Sequence, residues 1–174
     1  VIQPRKKMNT TSKKAILISL DDTISEIIQL AETLDYTILK TFIQHRTIPA
    51  VNYYSGSGKI DEIHDYFTDS DETIDLVIVN GELKPSQWFS LEKKLETNVY
   101  DRIRLILAIF EEHAERREAI LQVKLAQLQY ERPYVRELIH RAKAGEHPGL
   151  MAGGEYQVDD YYEMIKRQTK KIRE

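Results

Sequence analysis

The spacing of apolar and polar positions divides the chain into two stretches of different period. Residues 14–20 (KAILISL) form an apolar run of buried-strand length, stopped by Asp21-Asp22. Thr23 and Glu26 then stand at capping-box spacing, and Ile24, Ile27, Ile28, Leu30, Ala31 and Leu34 recur with helical period. Residues 36–44 alternate as a half-buried strand does, and 52–54 offer a short one. The turn SGSG (55–58) places Gly58 near the N-cap of a helix over 59–67. DLVIVN (75–80) is the clearest buried strand, Pro85 opens a helix over 86–96, and 98–100 supply a last short strand. Strands alternating with helices predict an α/β fold: a small, mostly parallel sheet flanked by helices, with right-handed crossovers.

After Asp101 the period changes. From 102 to about 143 there is no glycine, and Pro133 is the one breaker, so the pattern predicts a long helix bent or briefly interrupted at that proline. Leu121, Leu125, Leu128, Val135 and Ile139 follow alternating four- and three-residue steps once Arg132 is counted as the missing member. Val158, Tyr162, Ile165, Thr169 and Ile172 repeat that spacing. The two stripes predict a long antiparallel two-helix hairpin with a coiled-coil seam. Between them, residues 144–155 (AGEHPGLMAGGE) hold four of the seven glycines, and such a loop packs no core. The expected organisation is a flexible basic arm (1–13), an α/β domain (14–101), and a helical region (102–174). The seam is still running at KRQTKKIRE, which reads as the front portion of a longer polypeptide.

Composition adds a charge division. The net charge of −3 hides five bases and no acid in residues 1–14, and eight bases against eighteen acids in 15–112. Residues 113–174 carry twelve bases against ten acids. Polyanion binding is driven by phosphate neutralisation, so the acidic body is a poor nucleic-acid surface and the ends are the places to look. The absence of cysteine excludes disulfides, thiolate zinc sites and a Cys nucleophile. No apolar run approaches the roughly 20 residues that span a bilayer, and the reading is a cytoplasmic chain.

The chemistry-bearing motifs are few. YYSGSGKIDEI (53–63) resembles a phosphate-binding loop at first sight. Tyr53 stands where the first glycine is required, however, and Ile60 where the magnesium-ligating hydroxyl belongs. Asp61 and Glu62 would also repel a phosphate at that helix start. Glu137-Leu-Ile-His140 is one half of a di-iron signature whose second copy is missing, and a solvent-facing pair is the favoured reading. Asp21-Asp22 and Asp159-Asp160 read as helix-start residues rather than acid/base pairs. Gly56-Ser57-Gly58 lacks the context of a serine-hydrolase elbow. No catalytic, cofactor or metal residue is therefore assigned. Tyr53-Tyr54 and Tyr161-Tyr162 read as core-edge tyrosines sooner than base-stacking platforms. The candidate contacts to RNA are Gly145, His147, Gly149, Gly153 and Gly154 in the glycine-rich loop, with Lys166, Arg167, Lys170 and Lys171 on the terminal helix. A flexible connector and a solvated helix face are the competing readings of these two groups.

Taken together, SGSGKIDEI (55–63), DLVIVNGELKPSQWFSLEKKL (75–95), VYDRIRLILAIFEEHA (99–114), LQVKLAQLQY (121–130) and GGEYQV (153–158) resemble HflX, a family of translation-factor-related GTPases. The match is carried above all by Asp101-Arg102 and Ile109-Phe110, and it extends colinearly over about residues 14–174. Lys124, Gly153-Gly154 and DDYYEMIKR depart from the bacterial pattern, as a divergent or archaeal member would. The resemblance implies a cytoplasmic GTPase that binds the large ribosomal subunit through its RNA, some members of the family separating ribosomes into subunits. It also implies a C-terminal G domain beyond this chain, in which GTP and magnesium would bind. These 174 residues contain no P-loop, Asp-x-x-Gly or Asn-Lys-x-Asp motif and are not expected to hydrolyse GTP alone. Two alternatives stay open: an α/β domain that binds an adenine nucleotide at the carboxyl edge of its sheet, and a coiled-coil dimerisation module with weak self-association.

Overall fold

A computed structural model describes residues 12–146 and, beyond them, 163, 164, 167, 168 and 170–172. The described α/β part runs β1 (Lys13–Ser19), α1 (Ser25–Thr33), β2 (Tyr36–Ile43), α2 (Ser57–Asp69), β3 (Leu76–Val79), α3 (Pro85–Leu95) and β4 (Val99–Asp101). Two further helices follow, α4 (Arg102–His113) and α5 (Arg117–Lys143). The four strands pair in the order β2-β1-β3-β4, and every pairing is parallel.

Strands β1 and β3 read as unbroken apolar runs because both of their faces are covered. Ala15, Leu17, Leu76 and Ile78 face Ile27 and Ala31 of α1 and Leu105 of α4. Ile16, Ile18, Val77 and Val79 face Ile60 and Ile63 of α2 and Trp88 and Leu91 of α3. Strand β2 alternates instead because it lies at an edge, where Lys40 holds its ammonium over the Phe42 and Tyr66 rings at 5.0 and 4.9 Å. A charge in that position discourages pairing with another strand.

Several local expectations are corrected. The Thr23–Glu26 capping box does not form: α1 begins at Ser25, so Thr23 lies one residue outside the N-cap position, Ile24. Thr23 donates its backbone N–H (2.9 Å) and its hydroxyl to Asp21 Oδ1 instead, closing an Asx turn. Those two hydrogen bonds hold the Asp21 carboxyl below its ordinary pKa. Asp21 and Asp22 thus turn the chain without capping the helix. Gly56, not Gly58, is the N-cap of α2. Residues 50–55 form isolated bridges and not a sheet strand.

The larger correction concerns the helical region. Its interruption lies at 114–116, where Ala114 and Arg116 take extended ψ values of 116° and 143°, and α5 passes through Pro133 unbroken. Pro133 is exposed, as is Gln129 four residues earlier, so the carbonyl that loses its helical donor can bond water. Helices α4 and α5 turn back on each other, with Gln127 Nε2 donating to Glu111 Oε2 (2.8 Å) and Arg104 lying 3.8 Å from Glu131. The described antiparallel helix pair is therefore α4 with α5. Of the expected α5 seam, Leu128 and Val135 are buried while Leu121 is 39% exposed, and Leu138 and Ala142 join the buried face. Among the members of the second stripe, Ile172 is described and packs against the cluster of Phe89, Leu128, Val135 and Leu138. Val158, Tyr162, Ile165 and Thr169 lie outside the described residues.

Candidate functional site

In an open parallel sheet the usual ligand crevice lies beyond the carboxyl ends of the two strands where strand order reverses. Here those are β1 and β3, and the crevice is filled by the protein's own groups. Asn80 donates its amide to Ser19 Oγ (3.2 Å) and Thr23 O (3.2 Å), and its Oδ1 accepts from Arg102 Nη1 (3.3 Å). Arg102 also pairs with Glu26 at 2.5 Å. From the other side the Tyr54 hydroxyl donates to Asn80 O (3.1 Å) and stands 2.1 Å from where a Cβ on Gly81 would lie. Tyr54 holds φ at +70°, a left-handed conformation that a non-glycine residue keeps only under surrounding constraint.

The SGSG turn is equally occupied by internal partners. Gln44 Oε1 accepts from Gly56 N (2.6 Å) and Ser55 Oγ (2.9 Å). Lys59 is paired with Glu62 at 2.8 Å along α2. The turn is thus closed by Ser55 and Gly56 on Gln44, and the Lys59 ammonium that would meet a phosphate is held by a carboxylate of its own helix.

The densest polar construction lies where α5 meets the α/β body. Asp101 is 1% exposed, and its carboxylate accepts from Leu83 N (3.0 Å), from Arg104 N (2.9 Å) at the start of α4, and from the Tyr130 hydroxyl of α5. One side chain thereby ties the β3–α3 loop, the N-terminus of α4 and the middle of α5. Burial, reinforced by the hydrogen bond to Asp101, pushes the Tyr130 hydroxyl far above its ordinary pKa. Beside it Trp88 stacks on Tyr134 (ring centroids 4.2 Å, 20°) and donates Nε1 to Glu92 (2.8 Å). Tyr134 donates to the other oxygen of Glu92; its pKa is raised by burial first and by that carboxylate second. The Arg104 guanidinium lies over Trp88 (4.6 Å) and Tyr100 (4.4 Å) and within 3.9 Å of Glu92. Partly desolvated cation–π contacts of this kind are worth about 1–2 kcal/mol each. Helix α5 is clamped to the body, and the arrangement fixes its direction.

The sequence-based contact residues separate into two groups. Gly145 ends α5 at φ +83°, with Gly145 N bonded to Ala142 O (3.0 Å) and Glu146 N to Arg141 O (2.9 Å). This is a Schellman cap, so the first loop glycine has a helix-terminating role. Arg167, Lys170 and Lys171 are helical and exposed. His147, Gly149, Gly153, Gly154 and Lys166 lie outside the described residues, as do Asp159, Asp160, Tyr161 and Tyr162. Glu137 pairs with Arg141 (2.8 Å) along α5, His140 is exposed, and no group of three metal-ligating side chains occurs among the described residues. Among those residues no helix is long and apolar enough to cross a membrane. No sequence motif marks the Asp101 junction, because its members are spread over four elements. The only trace in sequence is an acid directly before a helix, followed by tyrosines on one face of another.

The fold and junction accompany clear similarities to known proteins. Residues 21–111 match the family described as GTP-binding GTPase N-terminal, and residues 113–174 match GTP-binding GTPase Middle Region. The GTPase HflX of Methanocaldococcus jannaschii is 43% identical over 150 residues, 86% of this chain and 36% of that protein. That of Thermococcus kodakarensis is 37% identical over 86% of this chain and 33% of its own length. A crystal structure of the protein SsGBP with GDP superposes at a TM-score of 0.71 and 27% identity, covering 92% of this chain and 42% of that one. A GTP-binding protein from Sulfolobus solfataricus in complex with GDP gives 0.62 at 25% identity, with 92% and 46% covered. The chain thus spans about a third of the length of these curated relatives.

Proposed function

This chain belongs to the HflX family of GTPases, and from that premise we propose that it forms the part that docks on the large ribosomal subunit. Binding and hydrolysis of GTP with magnesium are assigned to the two thirds of the relatives' length that lies outside the match. The observation that carries this reading is the Asp101–Tyr130 and Trp88–Tyr134 junction. An arm clamped to its body can transmit a change of orientation at one end into a change of contacts at the other, which a hinged arm cannot. The body serves as the docking element, α4 and α5 set its distance from the G domain, and the glycine-rich segment with Arg167, Lys170 and Lys171 meets ribosomal RNA. In a cytoplasmic factor of this kind, nucleotide state would select between free and ribosome-bound orientations and promote subunit separation. Co-sedimentation of the chain with purified large subunits at low salt tests this. Recovery in the ribosomal pellet supports it, and no recovery of either this chain or a full-length homologue rejects it.

The nucleotide-binding alternative for the α/β body is disfavoured by the occupied crevice at Asn80, Tyr54 and Arg102. Calorimetry with ATP and GTP is expected to be silent, and saturable heat would restore it. One observation favours a second reading, self-association: Phe110, Ile120 and Leu121, flanking the α4–α5 turn, are 57%, 49% and 39% exposed. Sedimentation across a concentration series separates a monomer from a dimer joined through that tip.

A further inference from the structure

A cavity of about 390 Å³ opens between α3, the end of α5 and the turn before α2, lined by Tyr53, Phe89, Lys93, Lys94, Arg141 and Glu146. Three cations and two aromatic rings meet there, and one carboxylate stands among them. Glu146 Oε2 lies 3.2 Å from Arg141 Nη1 and 3.7 Å from Lys93 Nζ. The Schellman cap sets this geometry: with Gly145 left-handed and Glu146 N returning to Arg141 O, the Glu146 side chain is brought back over Arg141 of its own helix and toward Lys93 of α3. The other two carboxylates nearby belong elsewhere on the rim, Asp61 on Lys94 (3.1 Å) and Glu137 on Arg141 (2.8 Å).

We infer that this cavity is a phosphate site for single-stranded RNA in which Glu146 is a built-in counter-ion that the RNA backbone displaces. Several observations converge on it. A guanidinium and an ammonium converging on one carboxylate oxygen, Glu146 Oε2, suit a phosphate oxygen as well. The Glu146 pairs are partly exposed, so exchanging them for another anion costs little. Arg141 keeps Glu137 in either state, and the Phe89 ring beneath Lys93 and Arg141 (5.8 and 5.3 Å) holds both cations in place. The cavity exceeds the size of a phosphate, and the half-buried Tyr53 in its wall offers a face to an adjoining base. The consequence is an exchange: backbone phosphate at Lys93 and Arg141 frees the Glu146 side chain, while the backbone cap at Gly145 stays in place. This inference rests on the RNA-docking reading and gives that reading a defined seat.

The test uses the whole chain and a uridine oligonucleotide of about eight residues, with inorganic phosphate as a second probe. Glu146→Gln removes the competitor and is expected to tighten oligonucleotide binding about fivefold. Lys93→Gln is expected to weaken it about fivefold and to reduce the slope of log affinity against log salt by about 0.7. Unchanged or weaker binding by Glu146→Gln overturns the inference, as does an unaltered salt slope in Lys93→Gln. A gain seen with inorganic phosphate and absent with the oligonucleotide also overturns it, because the seat would then serve a free anion. The oligonucleotide decides the site and co-sedimentation decides the ribosome reading, so the failure of either is visible separately.

Discussion

Replacing Asp101 with Asn changes one atom and sets three donors against each other. The carboxylate accepts Arg104 N on Oδ1 and both Leu83 N and the Tyr130 hydroxyl on Oδ2. An asparagine has one acceptor oxygen, so its NH₂ must face either the α4 N-terminus or the Leu83–Tyr130 side. The Tyr130 hydroxyl can rotate and accept. A backbone N–H cannot, and whichever of Leu83 and Arg104 faces the amide loses its partner. Leu83 is buried, and an unsatisfied buried N–H costs about 1–3 kcal/mol; a lost N-cap costs about 1 kcal/mol. The expected destabilisation by Asp101→Asn is therefore about 1–3 kcal/mol, against about 1 kcal/mol for Tyr130→Phe, which removes a single donor. Trp88 is the one tryptophan and sits in the junction, so urea unfolding followed by its fluorescence reports α5 docking while far-ultraviolet circular dichroism reports the whole fold. In a double-mutant cycle the two substitutions should couple by about 0.5–1.5 kcal/mol. Destabilisation by Asp101→Asn of less than about 0.5 kcal/mol, or additivity of the pair, refutes the three-way tie.

Four further outcomes follow from other parts of the fold and from the junction tyrosines. Gly81→Ala places a Cβ 2.1 Å from the Tyr54 hydroxyl and should destabilise by about 1–3 kcal/mol. Gly58→Ala, inside α2 with open space around it, should stabilise by about 0.5–1 kcal/mol, and chemical denaturation of the two variants checks the contrast. Tyr130 and Tyr134 have raised pKa values in the fold, so above pH 10 the unfolded chain loses protons that the native chain keeps. Stability is thus fully present below pH 10 and falls as pH rises beyond it, by up to about 1.4 kcal/mol per pH unit for each tyrosine. The double Phe variant should show a shallower decline in urea titrations between pH 9 and 11. Phe110→Lys should lower any self-association seen by ultracentrifugation, and an unchanged dimer fraction would place the contact elsewhere.

The α/β half was legible because its signals are local. AILI (15–18) and LVIV (76–79) are unbroken apolar runs since both faces of a central parallel strand are buried, and Pro85 marks the start of α3. The helical half misled at its punctuation. Pro133 carries the stronger breaking signal, yet it lies on an exposed helix surface and is absorbed, whereas Ala114-Glu115-Arg116 breaks the chain without glycine or proline. The trace of that break is a gap in the apolar stripe, EEHAERREA (111–119), where no large apolar residue offers a face to pack. The Asp101 junction and the Glu146 seat depend on contacts between residues tens of positions apart, which no period or spacing records.

The central claim is tested most directly by titrating labelled chain onto purified large ribosomal subunits at two salt concentrations, beside Asp101→Asn. The account predicts saturable one-to-one binding that weakens with salt and is several-fold poorer for the variant with the loosened junction. Non-saturable binding, or equal affinity for large and small subunits, would contradict it.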